Sequence, residues 1–133
     1  MCAATRLAAR VLTGVYDHEL RATGVQTPQF ALLSLLTKRP QAAQQQLGTW
    51  LAMEQSTLSR NLQGLARKGW VSSGTAPGSR VARYEVTRAG RAALDRARPA
   101  WTRAQTSVKR ELGADWDALW PLLRKLSTMR TTA

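Results

Sequence analysis

One stretch limits what this chain can become. Gln55 to Lys68 reads Gln-Ser-Thr-Leu-Ser-Arg-Asn-Leu-Gln-Gly-Leu-Ala-Arg-Lys. On a helix, at about 100° per residue, Leu58, Leu62 and Leu65 fall on one side. Ser56, Arg60, Gln63 and Arg67 fall on the other, with Thr57 and Ser59 flanking them. The apolar stripe needs a core beneath it. The opposite face carries hydroxyl, guanidinium and amide groups and no carboxylate. Such groups bond base edges and phosphates, arginine favouring guanine and glutamine or asparagine favouring adenine. A polar outer face is also the ordinary state of an amphipathic helix, so the neighbouring segments must decide.

Charge favours an anionic partner. The chain has 133 residues, enough for one domain with a real core. It holds 20 Lys and Arg against 8 acids, a formal net charge of +12. Between Gln55 and Arg103 stand ten of those cations and two acids, Glu85 and Asp95. Such a zone attracts phosphate backbones and speeds association with them. An anionic membrane surface is the rival partner. It fits less well, because the cations surround a helix and a hairpin rather than lining one amphipathic helix. No apolar run approaches the ~20 residues that span a bilayer. Met1–Leu7 lacks the apolar region of a signal peptide. The expectation is a cytoplasmic protein with no membrane partner. A single cysteine, Cys2, excludes an internal disulfide and a multi-cysteine zinc site.

In chain order, Thr5 to Leu20 reads as the first helix, with Leu7, Val11 and Val15 at four-residue intervals and Ala8 and Leu12 beside them. Thr23-Gly24 ends it. Thr27 as N-cap and Pro28 at the first helical position open a second helix. Its apolar set, Phe30, Leu32, Leu33, Leu35 and Leu36, is broad enough to be buried on most sides. Lys38-Arg39-Pro40 closes it. A short third helix, roughly Ala42 to Trp50, turns Leu47, Trp50 and Leu51 inward and leaves Gln44, Gln45 and Gln46 solvated. After Ala52-Met53-Glu54 comes the central helix. Two short helices joined by a few residues, the second with an acid-free polar face, form a helix-turn-helix arrangement. Gly69 ends the central helix, and Arg67 and Lys68 place cations where its dipole favours them.

Trp70–Ser72 has strand character, Ser73–Ser79 is rich in turn residues, and Val81–Val86 alternates as a returning strand. Arg80 therefore sits near the tip of a β-hairpin. There it is either an ordinary exposed charge or a side chain reaching into a minor groove beside the central helix. Thr87 caps a long helix from Arg88, slim with alanine at 89, 92, 93, 97, 100 and 104. Pro99 is expected to interrupt and bend it. Trp101, Ala104, Val108 and Leu112 continue its stripe to Gly113. Asp115 is placed to cap a last helix, Trp116 to about Met129, whose start Pro121 is expected to delay or kink. Its apolar set is Leu119, Trp120, Leu122, Leu123 and Leu126. Thr131–Ala133 reads as frayed.

The two ends thus supply apolar helices with little core of their own. A second copy of the chain is the economical cover. Residues 1–24 form an N-terminal dimerisation helix, 25–87 a DNA-binding lobe and 88–133 the C-terminal dimerisation helices of one compact domain. The fold class is mostly α with a small β-hairpin wing, about six helices, in an intertwined homodimer. A two-fold pair would meet two half-sites about 34 Å apart.

This order of elements resembles the MarR family of bacterial transcription regulators over nearly the whole chain. The resemblance is carried by Gln55–Leu62, by Leu65-Ala66-Arg67-Lys68-Gly69-Trp70-Val71 and by Tyr84-Glu85-Val86-Thr87-Arg88-Ala89-Gly90. It implies a winged helix-turn-helix homodimer on double-stranded DNA with a pseudo-palindromic operator, usually a repressor relieved by a small ligand or by thiol oxidation. By position, Gln55, Ser56, Thr57, Ser59, Arg60 and Asn61 would read DNA and Arg80 would serve the wing, with Gln63, Arg67 and Arg83 completing the candidate set. The family's wing usually carries an Asp two residues before this arginine. Here that position is Gly78.

A signal has two candidate entries. The family's hydroperoxide-sensing branch resembles this chain in placing a cysteine fourteen residues ahead of a first-helix tyrosine, here Cys2 and Tyr16, so that the phenol would hydrogen-bond a thiolate. Otherwise Cys2 is a terminal cysteine of no consequence. A cleft between the dimer helices and the lobe would suit a small effector. His18 is a surface residue near a helix end, since one histidine alone is a poor metal site. No cofactor is implied, and no paired carboxylates, nucleophile triad or phosphate loop suggests an enzyme. The alternative to a regulator is a winged-helix protein of replication, or a protein-interaction module.

Overall fold

Leu58, Leu62 and Leu65 are all buried, and the helix that carries them lies on a core drawn from every other part of the lobe. The structure, a computed structural model, describes residues 1–129; the frayed end expected at Thr131–Ala133 lies outside the described residues. The elements run α1 (Cys2–Leu20), a 3-10 turn (Arg21–Thr23), α2 (Thr27–Lys38), β1 (Ala42–Ala43), α3 (Gln44–Leu51), α4 (Gln55–Arg67), β2 (Val71–Thr75), β3 (Ala82–Val86), α5 (Arg88–Leu112) and α6 (Asp115–Ser127). The sheet is antiparallel in the order β1-β3-β2, with Val71 opposite Val86 and Ala42 opposite Tyr84. The expected mostly helical, winged architecture is present.

Local chemistry sets the ends of these elements. α4 stops at Gly69, which takes φ 73°. There the Trp70 amide donates to Leu65 O at 2.9 Å and the Gly69 amide to Ala66 O at 3.0 Å, a double closure of the last turn. Thr87 caps α5 by accepting from the Gly90 amide at 3.1 Å. The Thr87 amide donates to Trp70 O at 3.0 Å, which joins the hairpin base to the start of α5. α5 then packs an alanine stripe, Ala93, Ala97, Ala100 and Ala104, against α1 and α2. Trp101 lies between Tyr16 and Phe30, with ring centroids 4.3 and 4.2 Å away.

Several expectations need correction. Helix α1 begins at Cys2, not Thr5. Thr27 is the first residue of α2 and not its cap; Gln26 holds that place, its amide donating to Gln29 Oε1 at 3.0 Å, while the Thr27 hydroxyl bonds the Asp17 carboxylate. Ala42 and Ala43 are a strand rather than helix. Gln41 takes φ 62° and donates its amide to Tyr84 O, which turns the chain onto β3 before α3 can start. Trp50 is 42% exposed instead of inward, its ring covered by the Arg39 guanidinium at 4.6 Å. Gln44 and Gln46 are engaged rather than simply solvated, bonding the Tyr84 hydroxyl and the Ala43 amide. Pro99 does not interrupt α5, and Pro121 does not delay α6, which starts at Asp115 behind Ala114. Both prolines are exposed, so water can serve the carbonyls they leave without donors.

The close approach at Gly90 gives a test. A methyl group there would collide with the Trp70 carbonyl and lie 2.8 Å from Val86 Cγ1. Gly90→Ala is expected to lower stability by about 1–3 kcal/mol in urea unfolding, since the Trp70 backbone, tied to the Thr87 amide, cannot yield cheaply.

Candidate nucleic-acid interface

α4 presents the face its sequence implies. Ser56, Arg60, Gln63 and Arg67 are all exposed, opposite the buried leucines. Thr57 and Ser59 are half-buried at its margins, and Arg60 Nη2 rests 3.4 Å from Thr57 Oγ1. The face lies beside a wing rich in small polar residues. At the wing tip the Ser79 amide donates to Ala76 O at 2.9 Å around Pro77 and Gly78, and Gly78 takes φ 77°. Proline then glycine in these places is the sequence signature of a tight turn whose third residue is left-handed. The positive φ at Gly78 is the reason a glycine serves there. Arg80 follows, exposed and without a hydrogen bond or ion pair among the described residues.

Other candidates are placed less simply. Asn61 is half-buried, and its amide donates to Thr57 O at 3.0 Å and approaches Met53 Sδ. Gln55 is exposed but its amide folds back over Gly48; a Cβ on Gly48 would strike it. Arg83 donates from Nη1 to Gln41 O at 3.0 Å, and Gln41 Nε2 donates to Glu85 at 2.9 Å. That guanidinium braces the β1 turn and is not a free wing cation. Sequence reasoning passed over these braces because their partners lie more than forty residues away. Lys68 does not serve its own helix end alone: its Nζ donates to Gly24 O at 3.2 Å.

Cys2 and Tyr16 do not meet within one chain. They lie on the same helix, fourteen residues and about 21 Å apart along its axis. The Tyr16 hydroxyl instead bonds Gln105 on α5. Cys2 is exposed. His18 is exposed in the last turn of α1, and among the described residues no three His, Cys, Asp or Glu gather as a metal site. No described helix is long and apolar enough to cross a membrane.

A buried three-helix lobe with a polar outer helix and a hairpin beside it defines a winged helix-turn-helix protein. The chain belongs, more narrowly, to the MarR family. The model of that family matches residues 23–80. The transcriptional regulator MosR of M. tuberculosis, solved in complex with DNA, is 34% identical over 96% of this chain and 92% of its own, with a TM-score of 0.85. The transcriptional repressor CouR, solved on a 23-mer DNA duplex, is 25% identical over 96% of this chain and 92% of its own, with the same score. A mutant of MarR from E. coli with operator DNA shares 19% identity, which speaks for the fold alone, at a TM-score of 0.83 over 96% of this chain and 92% of that one. Among curated proteins, none matches by sequence.

Burial raises the Tyr16 phenol above its ordinary value. The folded state therefore holds this proton more tightly than the unfolded chain does. The associated stability is full below about pH 10 and falls as pH rises past it. Unfolding midpoints of wild type should decline across that range more steeply than those of Tyr16→Phe.

Proposed function

We propose that the chain is a homodimeric, sequence-specific regulator that reads a pseudo-palindromic operator in double-stranded DNA and represses until a signal releases it. The observation that carries this reading is the exposed α4 face, Ser56, Arg60, Gln63 and Arg67, set beside a wing with a free Arg80. Arg60 and Gln63 read bases in the major groove, Ser56, Thr57, Ser59 and Arg67 supply further base or phosphate bonds, and Arg80 enters the minor groove. Gln55 and Asn61 set the seating of α4 more than they read. Arg83, opposite Gly74 near the wing tip, contributes charge there.

Residues 1–24 and 88–133 pair the two copies, and 25–87 forms the reading lobe. What supports the pairing is apolar surface left uncovered at both ends. Leu7, Val11, Val15, Val108, Leu112 and Leu119 line an open groove of about 640 Å³. Leu122, Leu123 and Leu126 remain exposed on α6. Faces of this kind on one molecule mark a protein contact. A cleft of about 300 Å³ between α2 and α5, lined by Phe30, Ser34, Lys38 and Trp101, suits a small effector. Oxidation of the exposed Cys2 by a peroxide is the other release. Since one chain cannot bring Tyr16 to Cys2, any phenol–thiolate contact has to come from the partner copy.

Duplexes selected from a random pool and titrated in gel shifts test the reading, with light scattering for the dimer. Arg60→Ala should weaken binding to the selected duplex by about 1–3 kcal/mol and relax the base preference at one position. Equal loss on every sequence would make Arg60 a phosphate contact, and wild-type binding no tighter than to random DNA would end the regulator reading. Peroxide treatment should release the wild type from the selected duplex and leave Cys2→Ser bound. Release of both, or of neither, removes the thiol from the mechanism.

A further inference from the structure

Two cations from different helices close on one short turn. The turn, Arg21 to Gly24, ends the α1 segment and leads into the lobe, and its carbonyls are the negative end of that helix. Lys68, just past the end of α4, donates from Nζ to Gly24 O at 3.2 Å, with the ammonium 4.5 Å over the Trp70 ring. Arg96 of α5 donates from Nε to Thr23 O at 3.5 Å. The turn they grip is itself stitched. Thr23 Oγ1 donates to Leu20 O at 2.6 Å and accepts from the Val25 amide at 3.1 Å. Leu20 and Val25 are buried on either side, and the Thr27 hydroxyl bonds Asp17 across it.

A lysine in the last turn of a helix ordinarily serves that helix's own carbonyls. This one ties the far end of α4 to the joint between α1 and the lobe. We propose that Lys68 and Arg96 are positioning residues, which hold the reading helix at a set angle to the dimer helix and so set the half-site separation that the pair accepts. This role rests on the DNA-binding dimer proposed for the chain. A phosphate contact is the other use of a lysine in a basic zone. The geometry favours the tie, because the ammonium is engaged by Gly24 O and Trp70, while Arg67 beside it has no hydrogen bond or ion pair among the described residues and Arg60, in mid-helix, touches only Thr57 of its own helix.

Random-sequence duplexes selected with full-length wild type, Lys68→Gln and Arg96→Gln provide the test. Both side chains are exposed, and thermal melting checks that the variants fold. All three proteins should recover the same half-site sequence. Wild type should recover one separation and the variants a spread of separations. Affinity of each variant for the wild-type duplex should fall by about three- to tenfold, with the slope of log affinity against log salt unchanged. A slope lowered by about 0.9 for each phosphate lost would make Lys68 a backbone contact and overturn the role. So would variants that keep the single wild-type separation. If wild type itself recovers no duplex above random sequence, the DNA-binding reading fails and takes this role with it, an outcome told apart by the wild-type arm alone.

Discussion

Burial of Leu58, Leu62 and Leu65 decides which way every other side chain of α4 points. Each fully buried leucine contributes about 1.5–3 kcal/mol, and a rotation of the helix by one residue would trade all three, for Ser59, Gln63 and Ala66 one way or for Thr57, Asn61 and Gly64 the other. No hydrogen bond on the outer face competes with that. The direction of Ser56, Arg60, Gln63 and Arg67 is therefore a consequence of the core. It needs no partner to be present. Asn61, one residue from the leucine row, shows the margin of the effect, since its amide is already satisfied by Thr57 O.

The same logic explains what could be read from the residues alone. Helices with a strong period of apolar side chains were legible, because period and burial are the same fact seen twice. The wing was legible from Pro77-Gly78 and the alternation around Tyr84. β1 was not, since two alanines have no strand signal of their own and are held by hydrogen bonds to a strand forty residues on. The prolines misled for a related reason. Pro99 breaks local rules, but the buried alanines on both sides of it hold α5 straight through, and its ring faces solvent. In the interface, positions on the exposed face of α4 were legible. The engagement of Arg83 and Lys68 was not, because each finds its partner more than forty residues away, through the fold and not along the chain.

Length in the family comparison bears on the whole molecule. The similarity to MosR covers nearly all of both chains, so the terminal helices belong to the shared fold as much as the lobe does. The family model itself stops at residue 80, inside the wing. α1 and the helices after the wing lie outside that match and within the similarity to MosR.

Helix α5 runs 25 residues without a break, about 37 Å from the wing base to the far end of the molecule. A continuous helix of that length can act as a lever. A tilt of about 5° about its midpoint carries each end through roughly 1.6 Å in opposite directions. Trp101, wedged between Tyr16 and Phe30 near its midpoint, sits at the fulcrum. A shift of those three rings is therefore magnified at both ends of α5, each about 18 Å away along the helix.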